Sequence, residues 1–93
     1  GDNKMTGIIL KNYMEEIVFS VIDDVLKDMD ICRCERCKMD IIAISLNNLP
    51  SKYVVTERGE LYSKVNLFKM QVEVDVITEI TKAAMIVKRN PNH

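Results

Sequence analysis

"VEVDVITEITKAAMIVKR" occupies residues 72–89, and whether it forms a strand or a helix decides the class of the fold. Val72, Val74 and Val76 alternate with Glu73 and Asp75, as residues do on a half-buried strand. That period of two lasts only five residues. Over the longer window Val65, Phe68, Val72, Val76, Ile80, Ala83, Ala84 and Val87 recur at helical steps. The spacing therefore predicts a long helix from Glu60 to Arg89, with Asn66 as a candidate break and N-cap. Lys88 and Arg89 complement the C-terminal dipole, Asn90 suits a left-handed cap, and Pro91 stops the helix.

The same helix carries a second apolar line through Leu67, Met70, Val74 and Ile77. A helix that is apolar on two sides needs two partners, and a small helical domain supplies one of them. Homodimerisation through this helix is the expectation, set against burial within the monomer.

Upstream, Asn12 followed by Glu15 forms an Asn-led relative of the capping box. From there Met14, Ile17, Val18, Val21, Ile22, Val25, Leu26 and Met29 line one face of a helix, with Glu15, Glu16, Asp23, Asp24 and Lys27 on the other. Glu35 to about Asn48 reads as a second helix with Ile41, Ile42, Ile44 and Leu46 apolar, ended by Pro50. Lys52 to Val55 is a short extended stretch, and Thr56 to Gly59 a turn in which Gly59 supplies a positive φ. The expected fold class is all-α, a small domain of three to five helices. Residues 1–11 read as an N-terminal extension or short helix, and 12–93 as a single helical domain. No internal repeat or linker interrupts it. Gly1-Asp2 is either native or an added remnant.

The bulk numbers agree with one soluble domain. The chain has 93 residues, 47% of them hydrophobic and 29% charged. Thirteen basic residues against fourteen acidic leave a formal net charge of -1, so no general attraction draws the chain to a nucleic-acid polymer or a membrane surface. No run reaches the roughly 18 apolar residues of a membrane span, and Gly1 to Leu10 lacks the basic start and long apolar stretch of a signal peptide. The expected location is the cytoplasm.

All three cysteines fall in "CRCERCKMD", residues 32–40, spaced C-x-C-x-x-C at Cys32, Cys34 and Cys37. In a reducing compartment such a cluster favours metal binding or redox chemistry over a structural disulfide. With a helix beginning near Cys34, all three sulfurs can converge on one point beside helix N-terminal amides, which favour thiolate. Zinc suits such a set, and Arg33, Arg36 and Lys38 can offset its negative charge. The fourth position is open: Asp40 lies three residues beyond Cys37, His93 is the only histidine, and water or a residue of a partner subunit serves equally well. Redox sensing through the same thiols and burial as small apolar residues are the competing readings.

Little else offers catalysis. There is one terminal histidine, no nucleophile motif and no glycine-rich phosphate loop, so no enzymatic activity is expected. Glu15-Glu16 and Asp23-Asp24 read as the solvated side of an amphipathic helix. Lys52, Tyr53, Thr56, Arg58 and Lys64 bring cations, a hydroxyl and an aromatic ring around an irregular segment. Such a group can hold a phosphate and stack a base; the bland alternative is a solvated loop with Tyr53 packed on the core. The six methionines are scattered and read as core fillers.

Taken together, "CRCERCKMDIIAISLNNLPSKYVVTERGELY", with "NYMEEIV" upstream and "VDVITEITKAAMIVKRNP" downstream, resembles the late competence development protein ComFB family of bacteria. The likeness runs in order from Asn12 to His93. It implies a small, all-helical, homodimeric, zinc-binding cytoplasmic protein linked to DNA uptake, acting as a regulator or adaptor with an unknown protein partner and without enzymatic activity. It also implies that Cys32, Cys34 and Cys37 hold the metal. Some proteins similar to this family are cyclic dinucleotide receptors, which makes cyclic di-GMP or cyclic di-AMP an alternative ligand, with Lys52, Tyr53, Thr56, Arg58 and Lys64 as its candidate contacts. Where the family usually has a second proline this chain has Ser51.

Overall fold

The computed structural model describes residues 7–92. Its elements run β1 (Ile8–Asn12), α1 (Tyr13–Leu26), α2 (Glu35–Asn47), β2 (Tyr53–Glu57), a 3-10 turn (Arg58–Glu60) and α3 (Leu61–Arg89). The stretch from Val72 to Arg89 is helical throughout, so the longer period wins over the local alternation. Val76, Ile80, Ala83, Ala84 and Val87 point into the core, whereas Val74, between two of the alternating valines, faces solvent. Both α1 and α2 pack on α3.

An all-α fold is nevertheless the wrong class. β1 and β2 pair antiparallel with Ile8 opposite Glu57, Leu10 opposite Val55 and Asn12 opposite Tyr53, which makes the protein α+β. The reason is visible in β1. Ile9 is buried while Ile8 and Leu10 are exposed, so apolar residues stand on both faces and the alternation that marks a strand is hidden. Where an extension or short helix was expected, Ile8 to Asn12 is therefore sheet. Gly7, with φ 70°, leads into it, and its carbonyl accepts from the Arg58 amide at 2.8 Å.

Asn12 does what its capping position demands and more. Its Oδ1 accepts from the Met14 amide at 3.2 Å and from the Lys52 amide at 2.9 Å, while the Tyr13 amide donates to the Lys52 carbonyl at 2.7 Å. One side chain thus starts α1 and fixes the entry to β2. Helix α1 closes at Leu26 rather than Met29. The Arg33 guanidinium donates to the Leu26 carbonyl at 3.2 Å and to the Lys27 carbonyl at 2.9 Å, satisfying groups that another helical turn would have used. Three further local expectations fail. α3 is unbroken at Asn66, Gly59 has no positive φ, and Asn90 has φ -136°, outside the left-handed region.

The core is a single apolar cluster. Ile17, Val18 and Ile22 of α1 meet Ile41 of α2 and Val76, Ile80 and Ala84 of α3, all almost without solvent exposure. At roughly 25 cal/mol per Å² of apolar surface, each such isoleucine contributes about 1.5–3 kcal/mol to folding. Lys38 on α2 reaches Asp23 on α1 at 2.8 Å across the helical pair.

Candidate metal centre

The cysteines lie where the chain turns from α1 into α2. Cys34 is the N-cap of α2, with extended backbone (φ -65°, ψ 163°), and its Sγ accepts from the Cys37 amide at 3.5 Å. That geometry turns Cys37 onto the same side, one helical turn on, and Cys32 approaches from the preceding loop. The three Sγ atoms lie within 4.8 Å of one another. In tetrahedral zinc thiolate the sulfurs stand about 2.3 Å from the ion and so about 3.8 Å apart, which a small closing movement here reaches. The donor set therefore fits a soft or borderline metal ion.

The three thiols are not equivalent. The Cys37 amide, and then the Cys32 thiol, lower the pKa of Cys34 below its ordinary value of 9.0. Cys37 is fully buried; loss of hydration pushes its thiol up to about 12, with further upward contributions from the Cys32 and Cys34 thiols. Without a cation the site holds a proton on Cys37. A divalent ion held by the three sulfurs would reverse that preference and take Cys37 as its thiolate.

Asp40, the candidate fourth ligand, does not join the cluster. Its Oδ2 accepts from Arg36 Nε at 3.3 Å and from Asn92 Nδ2 at 2.9 Å. No other His, Cys, Asp or Glu among the described residues brings a donor atom to the three sulfurs. His93 lies outside the described residues, as does Gly1-Asp2. The expected charge compensation also runs differently, since Arg33 is turned to α1, Arg36 to Asp40 and Lys38 to Asp23. Sequence spacing missed a cavity of about 300 Å³ beside the sulfurs, with Cys32 and Cys37 on one wall and Ala84, Val87, Lys88 and Pro91 of the distant C-terminal segment on another.

The second group of candidates is not brought together. Tyr53 and Thr56 are three residues apart on one strand and so face opposite sides, Tyr53 to solvent and Thr56 into the core. The expectation of Tyr53 packed on the core fails with it. Lys52 stands 5.7 Å from the centre of the Phe68 ring, and Lys64 pairs with Glu60 at 3.0 Å, which raises its pKa. Arg58 instead lines a groove of about 280 Å³ with Ser20, Tyr62 and Asn66. Tyr62, 80% exposed, carried no signal in its helical setting.

Comparison with known proteins gives the chain's family. The family model described as late competence development protein ComFB matches residues 11–91. The competence protein ComFB of Bacillus subtilis (strain 168) is 25% identical over 85 residues, which is 90% of this chain and 87% of that protein. The solved structure of the late competence protein ComFB from Bacillus subtilis superposes with a TM-score of 0.75 at 26% identity, covering 90% of this chain and 96% of that one. With the family model spanning most of the chain, from the end of β1 through the cysteine turn to the end of α3, this protein belongs to the ComFB family.

Proposed function

We propose that this chain is a non-catalytic, zinc-stabilised homodimer that works in the cytoplasm as a regulator or adaptor in competence for DNA uptake or related signalling. The observation that carries the metal is the convergence of the Cys32, Cys34 and Cys37 sulfurs within 4.8 Å in a turn between two core helices. Thiolate softness, and sulfurs near enough to close on one ion, favour zinc. Elemental analysis of protein purified without added metal is expected to give close to one zinc per chain. Metal-free protein in which two of the three thiols form a reversible disulfide under mild oxidation would favour redox sensing and overturn the reading.

The dimer is supported by the exposed line on α3, where Leu67, Met70, Val74 and Ile77 follow alternating steps of three and four. No helix among the described residues is long and apolar enough to cross a membrane. A second reading, a cyclic dinucleotide receptor, is supported by the groove whose lining includes Arg58, Tyr62 and Asn66. Calorimetry with cyclic di-GMP and cyclic di-AMP tests it, with saturable binding expected and weakened by Arg58→Ala. Absence of heat at high micromolar ligand removes this reading and leaves the first intact.

A further inference from the structure

Among the described residues, no strand pairs with the outer edge of β2. The Tyr13 amide donates to the Lys52 carbonyl and the Arg58 amide to the Gly7 carbonyl, so the hydrogen-bonded pairs of the ribbon are Lys11 with Val54 and Ile9 with Thr56. The backbone groups of Tyr53 and Val55 therefore point away from β1, and no backbone hydrogen bond among the described residues occupies them. Their side chains stand on the solvent face of the ribbon. There Val55, 70% exposed, lies opposite Leu10, 65% exposed, with Ile8 and Tyr53 exposed beside them. Single apolar residues on a surface are ordinary, but four together on one short ribbon call for a partner. β2 also lacks the usual guards of an edge, having no lysine, proline or bulge between Tyr53 and Glu57.

We propose that an extended segment of another protein adds to β2 as a third, antiparallel strand, bringing an apolar residue beside Val55 and a basic residue beside Glu57. The inference goes beyond the regulator or adaptor role by naming the chemistry of its partner, and it rests on neither the metal nor the α3 dimer. The free amides and carbonyls select a strand, since they recur at every second residue and a helix keeps its own backbone groups paired internally. The apolar position follows from the cross-strand row of Leu10 and Val55, which a third strand lengthens by one side chain on the same face. Charge selects the end. The Glu57 carboxylate is exposed and enters no ion pair among the described residues, and Lys64, in the first turn of α3, is held by Glu60 at 3.0 Å. A second copy is the poorer occupant. Two β2 strands pairing antiparallel about Val55 set each Tyr53 against the other copy's Glu57 and bring neither carboxylate a cation.

The test uses the full chain, isotopically labelled, and a blocked synthetic peptide that alternates valine with threonine and carries lysine at its N-terminal end. Saturable amide shifts and slowed hydrogen exchange are expected at Tyr53, Val55 and Glu57. Methylating the peptide nitrogens that face β2 is expected to weaken binding at least about tenfold, because the bonds across the edge are lost. Exchanging the peptide's lysine for glutamate is expected to weaken it at least about threefold at low salt and less at high salt. Val55→Pro removes one outward amide without touching the ladder to β1, and is expected to weaken binding at least about tenfold. Val55→Lys keeps that amide and guards the edge with charge, so it tests the same surface should proline disturb the ribbon, with a loss of at least about threefold expected. Slow exchange at Ile9 and Thr56 reports that the ribbon is intact. No saturable shift at about 1 mM peptide, or equal binding by the methylated peptide, would overturn the inference. Protection of Tyr53 and Val55 that rises with protein concentration alone would also overturn it, by assigning the edge to a second copy.

Discussion

Two side chains hold unusual responsibility. Asn12 caps α1 and also binds the Lys52 amide, so it secures local and long-range structure with one oxygen. Asn12→Ala is expected to lower stability by about 1–2 kcal/mol in denaturant melts, whereas Asn12→Asp, which keeps the acceptor, is expected to lose much less. Cys37 gives a pH signature with two signs. In the metal-free protein its thiol is raised from 9.0 to about 12, so the folded state prefers the proton. That contribution is present below pH 9 and is lost as pH rises toward 12, so metal-free protein is expected to melt earlier at about pH 10 than at about pH 8. Affinity for the proposed metal is expected to run the opposite way, strengthening by about tenfold per pH unit for each thiol proton displaced, which competition titrations at several pH values measure. The capping role of Asn12 was legible from its distance to Glu15. Its bond to Lys52 was not, because a partner 40 residues away leaves no local pattern.

Among the elements, α3 shows most clearly how two periods compete. Alternating valines over five residues were outweighed by helical spacing over more than twenty, and the 29-residue helix follows the longer pattern. Its exposed line, with Val74 at 77% and Met70 at 80%, is the surface on which the proposed dimer depends. Val74→Glu, which places like charges together across a two-fold seam, is expected to shift the protein to monomer in sedimentation without altering its helical circular dichroism. A dimer that survives this change would place the interface elsewhere. β1 escaped detection because a strand is recognised by one polar face, and Ile8, Ile9 and Leu10 offer none. The same geometry separates two of the five candidate phosphate contacts, since the extended run from Tyr53 to Thr56 sends those two side chains to opposite sides.

For the whole molecule, the apolar core holds α1, α2 and α3 together. Buried apolar residues on all three helices predict that the chain stays folded without metal, unlike a small zinc finger. Chelation is expected to lower the melting temperature by at least about 5 °C, restored by added zinc, with helical content retained. The convergence of the three thiols was legible because residues this close in sequence, at a helix start, are also brought close in space. The C-terminal wall of their cavity was not, since nothing in the order of residues puts Pro91 beside Cys32.

The ribbon of β1 and β2 joins the chain at Asn12 and Tyr53, and everything between them, α1, the cysteine turn and α2, is a closed loop fastened at its base. Its opposite end is fastened where Arg33 grips the final carbonyls of α1. Two separate fastenings at opposite ends of one loop make its breathing directional. Amide hydrogen exchange should then accelerate from Lys27 to Cys34 in Arg33→Ala, and around Met14 and Lys52 in Asn12→Ala, with each change leaving the far end protected.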